Sequence, residues 1–316
     1  MQAALPLNRN AHVLDASPAF LIGRKLWYNI KKEKAESRQS RHAEGERAIT
    51  PREKYHEELQ KFAFRDDTFI AAVFEYRPDV AEYIVRTLSG VSDLTLISVH
   101  ARHDIHSVKN RSICCDLVAK DSAGKIYNIE IQRRRKGAEP ERARFHSAML
   151  DSSTLEKNAD FVDLPETYVI FITEKDTLHG GKALYHIDRT VREMDHAPFG
   201  DRAHIIYAVM NNTTPGPLGQ FLRDFLADEA ARIADPALAE CMNYFKTTEK
   251  GENQVCEIME RLIERENEIV RKNTQWETQR EIVLRMLNKG LSKSDIIEFL
   301  GITDEEFSAL LADKAG

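Results

Sequence analysis

Residues 113–132 read ICCDLVAKDSAGKIYNIEIQ, two alternating apolar runs on either side of a short polar turn. The runs Ile113–Ala119 and Ile126–Gln132 have the period and β-branched content of paired strands, with Asp121, Ser122, Ala123 and Gly124 between them. A three-residue loop of Ser122, Ala123 and Gly124, with Gly124 in the left-handed position, is a common closure for such a hairpin. It pairs Asp121 with Lys125, and counting outward sets Asp116 directly across from Glu130. Opposed residues share a face with Cβ atoms about 4.5–5.5 Å apart. Gln132, two positions on, falls on that face too, whereas Ile129 and Ile131 turn to the other side.

Two carboxylates and an amide are thereby gathered on a half-buried sheet. Like charges so placed resist joint ionisation and destabilise a hairpin unless a counter-charge joins them. Mg²⁺ suits carboxylate and water ligands, keeps several waters and picks up substrate phosphate; Mn²⁺ can substitute for it. Such an ion activates water and steadies the charge of an in-line attack on a phosphodiester. Asp116 and Glu130 are the candidate metal ligands.

Upstream, residues 1–52 are expected to form a flexible arm with a charged run from Lys31 to Arg47. That run reads as a solvated linker or as a basic arm touching phosphate. Ordered structure begins near Pro51, with two helices marked by Phe62, Phe69, Ile70, Val73 and Phe74, then Val80, Tyr83, Ile84 and Leu88, ending at Gly90. Leu94–His100 reads as a strand and 140–155 as a helix. Residues 168–172 and 204–209 read as buried strands. This order predicts an α/β (α+β) core of residues 53–230, a central mixed sheet flanked by helices.

Beyond it, 231–288 reads as a long amphipathic helical region and 289–316 as a helix-turn-helix-like pair. Ser292–Asp295 and Thr303–Glu306 supply the capping boxes and Gly301 the turn. Val255, Leu262, Ile269, Trp276 and Val283 recur every seventh residue, but the partner heptad positions are polar, so homodimerisation through this region is one reading among others. The acidic last helix suits packing better than a phosphate backbone.

The 316 residues carry a net charge of −6, so any nucleic-acid contact has to come from local basic patches. None of the four cysteines forms a CxxC pair, which excludes a zinc ribbon. No apolar run reaches membrane-spanning length and no secretory leader is evident, so the expected location is cytoplasmic, with no membrane partner. His100, His103 and His106 recur at every third residue, a spacing that alternates faces along a strand and suits no metal site there. Asp104 and Lys109 nearby suggest an exposed loop.

Asp116, a glycine-containing turn and Asn128-Ile129-Glu130-Ile131-Gln132 resemble the D…E-x-Q variant of the PD-(D/E)XK nucleases, and more closely their recombination-promoting nuclease and transposase branch from bacterial mobile elements. Asp66-Asp67-Thr68-Phe69, Arg142-Ala143-Arg144-Phe145-His146, Leu164-Pro165-Glu166-Thr167-Tyr168, Lys182-Ala183-Leu184-Tyr185 and Pro198-Phe199-Gly200-Asp201 extend the resemblance over roughly residues 55–260. It implies a restriction-endonuclease-like fold. It also implies metal ligation by Asp116 and Glu130, with Glu130 helping to position the attacking water. An acidic residue of the first helix, Asp67 with Asp66 as its substitute, would complete the cluster. Gln132 stands where the general motif has lysine, and an amide brings no charge. Arg133, Arg134, Arg135, Arg142 and Arg144 are the candidates to supply it and to grip DNA phosphates. The function implied is a Mg²⁺-dependent endonuclease on duplex DNA. A catalytically weak or inactive fold kept as a DNA-binding or protein-interaction module, and a nuclease acting on RNA or on damaged or branched DNA, are the alternatives.

Overall fold

The computed structural model describes residues 51–106, 111–133 and 137–312; the arm up to residue 50, and Arg134 and Arg135, lie outside them. The elements run α1 (Pro51–Leu59), α2 (Asp67–Tyr76), α3 (Pro78–Ser89), β1 (Leu96–Ile105), β2 (Ile113–Asp121), β3 (Ile126–Gln132) and α4 (Pro140–Thr154). After these come β4 (Thr167–Thr173), β5 (Leu184–Ile187), β6 (Thr190–Val191), β7 (Ala197–Pro198) and β8 (Ala203–Val209). The helices α5 (Pro217–Asp224), α6 (Pro236–Thr247), α7 (Glu249–Asn288), α8 (Lys293–Leu300) and α9 (Asp304–Leu311) follow. Two compact units divide the chain at Met259/Glu260, within α7.

In the first unit a mixed six-stranded sheet has the order β1-β2-β3-β4-β8-β5. The pairs β1/β2 and β2/β3 are antiparallel, β3/β4 and β4/β8 parallel, and β5/β8 antiparallel. All seven residues of β4, and β3 up to Ile131, are buried, the pattern of central strands covered on both faces. One face carries Val169, Phe171 and Tyr207 and packs under Ala143, Met149 and Leu150 of α4. α2 and α3 also pack against the sheet. α3 begins with Pro78 in its first turn and ends at Gly90, left-handed at φ 72°, as the sequence predicts. The expected sheet-and-helix architecture is therefore present. β5 and the small β6–β7 pair carry too short a pattern to be predicted.

β1 runs past the expected end at His100 to Ile105, because Ile105 is buried opposite Ile113 and closes that end of the sheet. His103 and Asp104 thus lie in a strand, not an exposed loop. Lys246, buried on α6, ties three segments together: its ammonium donates to the carbonyls of Gln60 at 2.8 Å and Phe62 at 2.6 Å, and also to that of Asp228.

In the second unit Val283, Ile296, Phe307 and Leu310 form a small core. Ser292/Asp295 and Thr303/Glu306 both close as reciprocal capping boxes, and Gly301 takes the left-handed conformation at φ 64°. Among the described residues no helix is long and apolar enough to cross a membrane.

Candidate active site

The hairpin closes in the expected register. Asp121 and Lys125 bracket the loop, Gly124 sits at φ 86°, and the ladder pairs Lys120 with Ile126 through Leu117 with Ile129. One step further, at Asp116 and Glu130, regular pairing stops and side chains take over. The Asp116 carboxylate accepts the Ile131 N–H at 2.8 Å, and Glu130 Oε1 accepts the Asp116 N–H at 3.3 Å. Two backbone donors that would be costly to bury unpaired are satisfied by the carboxylates themselves.

Asp116 is left out on its other side as well. The β1/β2 ladder reaches Ala101↔Leu117 and resumes at His103↔Cys115, passing over Arg102 and Asp116. Arg102 holds φ 53°, the left-handed region, which costs a bulky residue on the order of 1–3 kcal/mol. This step breaks the alternation of both strands. Val118 and Cys115, three residues apart, pack in the same core cluster. The rings of His100 and His103 come to 5.8 Å on one side, where regular alternation would have separated them.

Charge collects at this break. Glu130 is 1% exposed and Asp116 14%. Burial, then the charge of Asp116, pushes the Glu130 carboxyl up to about 8. Burial likewise raises Asp116. Asp67, in the first turn of α2, is pushed up to about 7 by burial and then by Asp116, so α2 brings a third carboxylate to the pair. Asp66 is otherwise engaged, accepting the Ala63 N–H at 2.8 Å and pairing with Arg133 at 2.8 Å. Three acids short of counter-charge suit a hard divalent cation. Asp116 Oδ1 and Glu130 Oε2 have guanidinium contacts at 3.9 and 3.4 Å, which a cation can replace.

Beneath Glu130 lies a polar network that sequence reasoning missed. Asn128 Nδ2 donates to Glu130 Oε1 at 3.0 Å and to the Leu117 carbonyl at 3.2 Å. Its Oδ1 therefore faces His146 Nδ1 at 3.2 Å as an acceptor, and His146 Nε2 accepts from Arg142 Nε at 3.3 Å. Those partners fix an uncharged imidazole, and burial followed by Arg142 lowers His146 to about 4. Cys115, Glu130 and His146 offer donor atoms within 4.8 Å of one another. Both imidazole nitrogens are already engaged, so the trio fits a soft metal less well than the carboxylates fit a hard one. The signal for this network was the polar alternation Asn128-x-Glu130-x-Gln132 and the i, i+4 spacing of Arg142 and His146.

Gln132 shares the Glu130 face, and its Oε1 lies so close to Gly137 that a Cβ there would stand 2.7 Å from it. Of the predicted cations, Arg142 reaches Glu130. Arg133 is taken up by Asp66 and, at 4.0 Å, by Glu174. Arg144 is exposed, and at two residues from Arg142 it lies about 200° round the helix.

A mixed sheet flanked by helices, with acids on its central hairpin and a third on a preceding helix, defines the restriction-endonuclease-like class. The family described as PD-(D/E)XK nuclease family transposase matches residues 86–279, more than half of the chain, and the protein belongs to it. Membership supports a nuclease-like, transposase-related function and a nucleic-acid substrate, and nucleases of this class generally use divalent metals. No curated protein and no solved structure matches the chain.

Proposed function

We propose that the protein is a metal-dependent DNA endonuclease that hydrolyses phosphodiester bonds, with Mg²⁺ as its ion and Mn²⁺ able to replace it. The observation that carries this reading is the meeting of Asp116 and Glu130 where two ladders part, with Asp67 alongside. Asp116 and Glu130 would hold the cation. When bound, it supplies Lewis-acid stabilisation of the phosphate and lowers the pKa of water. Glu130, held in place by Asn128, keeps a carboxylate oxygen oriented toward the attacking water, and Asp67 adds the third negative charge that favours the cation. The water oxygen bonds to phosphorus, its proton passes to a carboxylate of the cluster, and the P–O bond to the leaving oxygen breaks. That oxygen is protonated by solvent. Gln132 would orient water or a phosphate oxygen, Arg142 would bring positive charge beside Glu130, and Arg133, Arg134, Arg135 and Arg144 are the further candidates for contacts with duplex phosphates. A double-strand cut calls for two centres, which pairing through the C-terminal helices would supply.

Incubating supercoiled plasmid with the purified protein and Mg²⁺ tests the reading. Nicking that disappears with EDTA and in Asp116→Ala supports it. DNA retained in a gel shift without cutting, with no heat on Mn²⁺ titration, would instead favour the inactive binding module.

A further inference from the structure

We propose that Arg102 is a catalytic residue of this centre, the cation that steadies the charge gathering on the scissile phosphate, a task for which Gln132 has no charge. The inference rests on the nuclease reading above.

Arg102 is the residue opposite Asp116 where the β1/β2 ladder is interrupted, with Nη1 3.9 Å from Asp116 Oδ1. Its side chain is 30% exposed, and the buried Nε has no hydrogen-bond partner among the described residues. Guanidinium groups carry five donors, and buried ones are ordinarily spent. The neighbouring cations are committed: Arg133 makes a 2.8 Å pair with Asp66, and Arg142 hydrogen-bonds to Glu130 and His146. Arg102 meets the cluster through a looser contact and keeps donors in reserve. The left-handed backbone at φ 53° is a sterically unfavourable way to place an arginine, and it falls at the residue opposite the metal-ligand candidate. Irregular backbone of this kind concentrates where a site requires a particular direction.

In the step itself the water oxygen forms its bond to phosphorus as the P–O bond to the leaving oxygen lengthens, and negative charge accumulates on the non-bridging oxygens. A guanidinium beside Asp116 donates hydrogen bonds to one of them. No proton or electron leaves Arg102, so the balance of the hydrolysis is unchanged. Its benefit is larger in the transition state than in the ground state, which makes it catalytic rather than merely binding.

A counter-charge that only neutralises Asp116 would behave differently. Removing it would leave the carboxylates a stronger cation site and the cleavage rate intact or higher. Single-turnover plasmid cleavage and calorimetric Mn²⁺ affinity are therefore measured together on wild type, Arg102→Gln, Gln132→Lys and Arg102→Gln/Gln132→Lys. Arg102→Asn serves as a second variant, since asparagine tolerates left-handed backbone. Loss of about 10²–10³-fold in rate is expected for Arg102→Gln, with Mn²⁺ binding equal or tighter and the melting temperature retained. Gln132→Lys placed on that background should recover at least about tenfold, as a positive charge returns from β3, on the other side of β2. Cleavage by Arg102→Gln at the wild-type rate, rate and Mn²⁺ affinity falling in parallel in both Arg102 variants, or no recovery in the double variant would each overturn the assignment. A wild-type protein that binds Mn²⁺ but never cuts defeats the nuclease reading itself, an outcome distinct from active wild type with equally active variants.

Discussion

Without a bound cation the acid cluster should make the protein less stable as pH rises, and Glu130→Gln isolates one share of that effect. The Glu130 carboxyl is held at about 8 against an ordinary 4.5, so the folded chain keeps a proton that the unfolded chain has lost over that interval. Stability falls with pH wherever the folded state binds more protons. Between pH 4.5 and 7 the span is roughly 2.5 units, which at about 1.4 kcal/mol per unit amounts to about 3 kcal/mol. Glutamine removes that penalty. It costs about 1 kcal/mol in return, because an amide NH₂ replaces one of the oxygens that meet Arg142 and Asn128. The variant should therefore be less stable than wild type near pH 4.5 and more stable by about 2 kcal/mol at pH 7, a rise of about 3 °C in melting temperature for a chain of 316 residues. Thermal melts in EDTA over pH 4.5–8 measure the two curves. Adding Mn²⁺ at one hundred times its Kd should then raise wild type by about 2.7 kcal/mol and leave the variant unmoved. Parallel pH curves, or equal stabilisation of both proteins by the cation, would refute the claim that Glu130 is a buried acid awaiting a metal.

Other perturbations probe the scaffold and the support beneath the site. Lys246→Met strips the carbonyls of Gln60, Phe62 and Asp228 of their donor, and urea denaturation should show a loss of about 2–4 kcal/mol, with circular dichroism otherwise unchanged. Asn128→Ala leaves Glu130 Oε1, the Leu117 carbonyl and His146 Nδ1 each short of a partner. It should destabilise by about 1–3 kcal/mol in the same assay and weaken Mn²⁺ binding in calorimetry. Unchanged Mn²⁺ affinity would show that the Asn128 contact does not orient the carboxylate.

The hairpin was legible because its register follows from local chemistry. A glycine free to take the left-handed conformation fixes the loop, and alternation then assigns the side chains outward to Leu117 and Ile129, one step short of Asp116. The helix caps at Ser292 and Thr303 were legible for the same reason, each being a matter of four consecutive residues. Relations between distant segments could not be read in that way. Nothing in the residues around Arg102 announces a left-handed arginine, and strict alternation therefore misplaced His100 relative to His103. Sequence put Asp67 ahead of Asp66 by resemblance alone. The partnership of Asp66 with Ala63 and Arg133, and the charge that Asp67 shares with Asp116, separate them in three dimensions. His146 carried a helix-face signal, but its partner Asn128 lies on β3, an element away.

The break in the sheet at Asp116 has a physical logic that joins these observations. A regular ladder would satisfy the backbone there and leave both carboxylates to compete for a neutral environment that they could not share. By parting at this point, the strands let the acids accept backbone donors on one oxygen each, Asp116 Oδ2 from the Ile131 N–H and Glu130 Oε1 from the Asp116 N–H, the latter also taking the Asn128 side-chain amide. The remaining oxygens stay in loose contact with arginines that a cation can displace. Orientation and availability are thus divided between the two oxygens of one group. A carboxylate held by both oxygens would be rigid but unable to take up a cation, and one held by neither would turn away from its neighbour. Local regularity is given up on β1 and β2 at the level where the chemistry needs it, while β3 and β4 continue their parallel ladder through Gln132 and keep the site on a rigid base.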